Sequence, residues 1–169
     1  MTLISPHFSL TEMTESRAAS VAGLDNTPNS SQREALRALC FNVMEPIRDH
    51  YGVPVHVSSG LRVEAVNAIT PGASKTSQHC LGEACDFHVQ GIPVAAVALW
   101  VACSNLPFDE LILEYPQEQN PMAGWTHVSY GPRHRRQVLW VTMDGGKRVE
   151  RTALPVWVHT LYGSGGSRS

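Results

Sequence analysis

An acidic residue stands inside a strand-forming stretch, and no other feature of the chain constrains its fold as much. Asp86 lies among Ala84, Cys85, Phe87, His88 and Val89, and the β-forming residues there predict a strand over residues 83–89. A carboxylate buried in such a strand without a partner is costly. The tertiary structure must therefore bring it a cation or several donors. A divalent metal would meet that need. His79 stands seven residues earlier at the end of a loop, and Gly82 between them lets the chain turn sharply. A catalytic zinc takes three protein ligands and leaves a fourth position open. The best third ligand is His127, an imidazole that interrupts the β-forming run from Trp125 to Tyr130.

The rest of the chain supplies the frame. Ser9 and Glu12 form a capping-box pattern that opens a short helix. A second such pattern, Ser31 to Glu34, starts the longest helix, with Leu36, Leu39, Cys40, Val43, Ile47 and Tyr51 as its apolar stripe. Pro46 is expected to bend this helix and Gly52 to stop it. There follow a strand at 54–58, a helical turn or two at 63–68, a loop over 70–77 and a buried helix from Val94 to Ser104. Strands are expected at 109–115, 125–130 and 137–143, the last turning through Asp144-Gly145-Gly146 into another. Helices first, then strands with one helix inserted, predict an α+β fold. It would be a small antiparallel sheet with helices packed on it. Residues 1–162 read as one domain and 163–169 as a flexible Gly/Ser tail.

Composition narrows the function. The chain has 169 residues with a net charge of −2, so no basic field recruits nucleic acid. Its only basic cluster, Arg133 to Arg136, reads as a solvated turn. Cys40, Cys80, Cys85 and Cys103 are too scattered for a disulfide framework. Cys40 and Cys103 read as small hydrophobes in helices, which favours a reducing compartment. His88 shares the face of Asp86 by strand alternation but is read as structural. The first residues lack a basic region and a long apolar core, so no signal peptide is expected, and no stretch is long enough for a membrane span.

The motifs add a resemblance. Ser77-x-His79-x-x-Gly82-x-Ala84-x-Asp86, followed about forty residues later by Trp125-x-His127, resembles the signature of the D-Ala-D-Ala carboxypeptidase/endopeptidase family of zinc peptidases, family M15. Its single-domain phage and bacterial members that cut cell walls are the most similar. The segment Ser58-Ser59-Gly60-Leu61-Arg62 is similar to that family's Ser-Gly-Tyr-Arg, with Leu61 replacing the aromatic. The opening from Ser5 to Met13 also resembles the start of those members.

The resemblance implies the hedgehog/DD-peptidase-like fold and one zinc per chain on His79, Asp86 and His127. It implies Arg62 as the residue that holds substrate and steadies the oxyanion. Ser77 is read as fixing the loop or touching substrate, and Trp125 as core or as a wall of the substrate site. Many members carry a Glu three residues before the second histidine as general base. Gly124 occupies that position here, and Glu114 is the expected substitute, because its strand should pair with that of His127. The function implied is zinc-dependent hydrolysis of peptidoglycan stem peptides by a monomer without a nucleic-acid partner. Made in the cytoplasm, it would reach the cell wall after release or as a virion component. A cytosolic D-Ala-D-Ala-type dipeptidase and a zinc-stabilised binding module without catalysis stand as alternatives.

Overall fold

The computed structural model describes residues 2–163. Two short helices, α1 (Leu10–Thr14) and α2 (Arg17–Ala22), precede a long helical rod. Ser9 caps α1 as expected, its hydroxyl accepting the Glu12 N–H at 3.1 Å. The rod comprises α3 (Ser30–Leu39), a π-helical turn (Cys40–Met44) and α4 (Glu45–Tyr51), and Gly52 ends it in a left-handed conformation. Where a bend at Pro46 was expected, the chain widens just before it. The wider turn makes room for a proline ring and a missing donor.

The capping box of this rod is Asn29 with Gln32, not Ser31 with Glu34. Asn29 accepts the Gln32 N–H at 2.9 Å and Gln32 accepts the Asn29 N–H at 2.8 Å. Asparagine caps at least as well as serine. Tertiary structure then decides, because the Gln32 amide also donates to the Cys80 carbonyl at 2.9 Å. That bond ties the helix start to the turn that carries His79.

The remaining elements are β1 (Val55–Ser59), α5 (Glu64–Ile69), a 3₁₀ turn (Gln78–Leu81), β2 (Ala84–Val89), α6 (Val94–Cys103), β3 (Glu110–Glu114), β4 (Trp125–Ser129), β5 (Gln137–Asp144), β6 (Lys147–Thr152) and α7 (Val156–Tyr162). The strands form one six-stranded sheet in the order β1-β2-β4-β3-β5-β6. The fold is α+β, and every neighbouring pair is antiparallel except β3 with β5. That exception follows from the connection after β4. It passes the start of β3, so β5 arrives on the far side of β3 and runs in its direction.

Strand alternation divides the sheet. Cys85, Phe87, Leu111 and Val128 point back into the main core, packed with Leu36, Leu39 and Ile47 of the rod. Asp86, Ile112, Glu114 and His127 occupy the other face. The helix α7 was not foreseen, because Val156, Trp157 and Val158 favour strand locally. Burial overrides that preference. Val158 and Leu154 pack with Ala95, Ala98 and Leu99 of α6. Cys40 and Cys85 are buried free thiols, whereas Cys103, at the end of α6, is exposed rather than packed. Beyond Gly163 the Gly/Ser tail lies outside the described residues.

Candidate metal centre

Asp86 and His127 lie directly opposite one another in the β2–β4 ladder, which puts both side chains on the open face. His79 reaches them from the 3₁₀ turn. That turn closes at Gly82, which has φ +73°, and a β carbon there would stand 2.6 Å from the Gln32 carbonyl oxygen. Only glycine suits the position.

The three side chains converge closely. His127 Nδ1 is 2.8 Å from Asp86 Oδ1 and 3.2 Å from His79 Nε2, and His79 Nε2 is 3.4 Å from the same carboxylate oxygen. All three residues are at least nine-tenths buried. His79 Nδ1 lies 2.6 Å from the Gly60 carbonyl, a bond that assigns the proton to Nδ1 and leaves Nε2 as a lone pair. Three potential ligand atoms therefore meet with at most one N–H among them. A cation satisfies such a set better than any arrangement of protons, and two imidazoles with a carboxylate match zinc.

The electrostatics favour the metal-binding form for His79 and Asp86. Burial holds the His79 imidazole below the ordinary histidine range. Burial alone would raise the Asp86 carboxyl, but the neighbouring His79 and His127 outweigh it and hold the group well below the carboxylate range. A neutral imidazole and an ionised carboxylate are the forms that bind metal. For His127, burial works downward, and the hydrogen bond to Asp86 prevails and raises it.

The cleft in front of the trio, about 790 Å³ in volume, collects the other expected residues: Arg62, Ser77, Glu114 and Trp125. Arg62 follows β1, and its backbone N–H donates to the His79 carbonyl at 3.1 Å. Its Nε is buried without a partner, and the guanidinium enters none of the ion pairs among the described residues. A half-buried cation so placed awaits an anionic or carbonyl ligand. Glu114 pairs with Trp125 across β3 and β4. Burial, with a smaller contribution from the Asp86 charge, raises its carboxyl above the usual range. Trp125 packs at 5.3 Å against Tyr115, and its indole N–H is buried without a partner.

Gly124 has φ +82°, and a β carbon there would overlap the Glu114 carbonyl oxygen. A glutamate at 124 is therefore sterically excluded in this backbone, and the nearby carboxylate is that of Glu114. His88 stays out of the trio, with Nε2 2.7 Å from the Gly124 carbonyl. A second group, His7, Glu45 and Asp49, could also be read as metal-binding. There, however, Glu45 already accepts the His7 backbone N–H at 2.8 Å and meets its ring at 2.6 Å, which is a satisfied structural tie.

The basic cluster is an exposed turn, as expected, and part of it borders the cleft. Arg133 and Arg135 line the cleft, and Arg136 lies 4.5 Å over the Phe108 ring. Arg148 of β6 lines it too. Sequence reasoning missed these cleft residues because nothing local distinguishes them from surface charges.

A model of the family described as Peptidase M15 matches residues 6–129. The chain belongs to the peptidase M15 family. No curated protein matches it. Membership implies a hydrolase of peptide bonds, and M15 peptidases are zinc-dependent. The match covers the trio, Arg62 and Glu114 and stops at the end of β4, so β5, β6 and α7 of this M15 peptidase lie beyond it. No helix among the described residues is long and apolar enough to cross a membrane.

Proposed function

We propose that this M15 peptidase hydrolyses peptide bonds in peptidoglycan stem peptides, with one zinc held by His79, Asp86 and His127. The observation that carries this reading is the convergence of three buried ligand atoms at the floor of a cleft whose wall holds an unpaired arginine. When bound, zinc supplies Lewis acidity, polarising a carbonyl and lowering the pKa of water to about 7. Glu114 takes the proton of the attacking water and returns it to the leaving amine. Its raised affinity for protons suits both halves of that task. Arg62 grips the scissile carbonyl oxygen as it gains charge. Ser77 and the Tyr115–Trp125 pair line the path of the peptide.

Gly124 does not argue for an inert binding module, since Glu114 supplies a carboxylate on the same face. Residues 1–162 act as one monomeric domain, working on the wall after release from the cell or as part of a virion. The test is to incubate zinc-loaded protein with intact peptidoglycan and map the new ends by mass spectrometry. New amino and carboxyl termini within stem peptides are expected. An inert wild type that keeps stoichiometric zinc would defeat the reading.

A further inference from the structure

The loop from Gly131 to Arg136, outside the family match, is held more firmly than a surface turn requires. Two non-glycine residues in it, His134 and Arg136, have φ of +44° and +52°, an unfavourable conformation that persists only where surrounding contacts enforce it. The enforcement is visible. Arg135 grips the fully buried Asp109 through Nε at 2.9 Å, Nη2 at 2.7 Å and its backbone N–H at 3.1 Å. Arg136 donates to the carbonyls of Ala102, Ser104 and Leu106.

Arg133 has no such employment. Its guanidinium approaches Asp109 only to 3.6 Å and is 64% exposed, while Arg135 already occupies both oxygens of that carboxylate. Two arginines thus share one buried acid, and both face the cleft. Glu110, the nearest further acid, stands 3.9 Å from Arg135. The end of the cleft beside Arg133 therefore holds an exposed guanidinium, only loosely engaged by Asp109, that can take a carboxylate in a forked pair.

Its position along the cleft follows from register. His127 pairs with Ile112 in β3; Glu110 begins that strand two residues earlier and Asp109 immediately precedes it. At roughly 3.4 Å per residue the backbone of Asp109 and Glu110 lies about 7–10 Å along the chain from the level of the metal trio, and Arg133 stands beside Asp109. An extended peptide covers that distance in two or three residues.

We propose that the 131–136 loop is a carboxylate-reading subsite, with Arg133 selecting peptides that carry a free carboxylate two or three residues from the bond cut. The proposal rests on the peptidase reading for the word cut, but the subsite itself is a matter of binding.

Both can be tested separately. Soluble stem-peptide fragments are compared in native form and after carbodiimide amidation of their carboxylates, using wild type and Arg133→Gln. Binding is measured calorimetrically on zinc-loaded Glu114→Gln protein with and without Arg133→Gln, and cleavage on the corresponding Glu114 forms. Arg62 can also sense a terminal carboxylate, so only the preference that Arg133→Gln removes is assigned to the loop. The expected result is a native-over-amidated preference of which Arg133→Gln abolishes a factor of about three to ten, through Kd and KM rather than kcat, as for a half-exposed charged pair. Zinc content and Tm should not change. An Arg133-dependent preference in binding without cleavage supports the subsite while defeating the peptidase reading. A preference that Arg133→Gln leaves intact, or no binding of either form, overturns the subsite.

Discussion

The two walls of the cleft solve the problem of charge in opposite ways. On the side built by β2, β4 and the 3₁₀ turn, His79, Asp86 and His127 are at least nine-tenths buried, and their polar atoms converge without enough protons to satisfy one another. On the side built by β6, charges pair with each other in the open. Arg148 meets Glu150 at 3.3 Å, with both side chains 43% or more exposed. Burial leaves the first wall as a group that could hold a metal. Exposure lets the second stand alone, since exposed pairs contribute only about 0–1 kcal/mol. The loop 131–136 lies between these extremes, with Asp109 buried and its arginines partly exposed. The family match follows the same division, covering the first wall and ending before the second.

The comparison is broken most directly at the buried wall. Asp86→Ala should lose zinc and reduce hydrolysis to background. Because metal binding to the folded state adds to stability, a chelator should lower the Tm of wild type and leave that of Asp86→Ala unchanged. Elemental analysis with thermal scans checks both, and zinc retained by the variant would refute the ligand assignment.

Next in size is Glu114→Gln. The substitution is nearly isosteric and leaves the trio intact, so zinc content should match wild type while turnover falls roughly 10²–10⁴-fold. Equal turnover at equal zinc would make Glu114 structural.

The intermediate region should show an intermediate effect, read in stability. Hydrogen bonds from Arg135 bring the Asp109 carboxyl down from 3.8 to about 2. A carboxyl lowered on folding stabilises above its unfolded pKa and loses that contribution as pH falls through the folded value. The advantage of wild type over Asp109→Asn should therefore be full above about pH 4 and fade toward pH 2. Discounted for the partial exposure of Arg135, it should be about 1–2 kcal/mol. Urea unfolding of both proteins in chelator across this range measures it, and an advantage independent of pH would contradict the assignment.

The smallest effect belongs to the open wall. Arg148→Ala should change stability by less than about 1 kcal/mol and leave zinc content alone. A larger loss would mean that the β6 pair carries weight its exposure does not suggest.

How much of this was legible depended on whether the cause was local. The conflict between Asp86 and its apolar neighbours is written in adjacent residues, and so is the interruption of a β run by His127. Gly124 could be seen to lack a base, but its overlap with the Glu114 carbonyl needed the β3–β4 register. The capping box offered two overlapping solutions, and the reach of Gln32 to Cys80 chose between them. The segment forming α7 has strand-like local preferences and became a helix by burying Val158 against α6.

The amino-acid sequence by itself determined the α+β class, the pairing of the strands of Glu114 and His127, and which polar residues would be buried together among apolar ones. Those follow from short-range periodicity and from the cost of placing polar groups among apolar ones. Only the tertiary structure decided the parallel entry of β5, the unpaired state of Arg62, and the arrest of Arg135 on Asp109 while Arg133 stays exposed. An arginine carries the same charge wherever it stands in a chain, and what it pairs with depends on residues dozens of positions away.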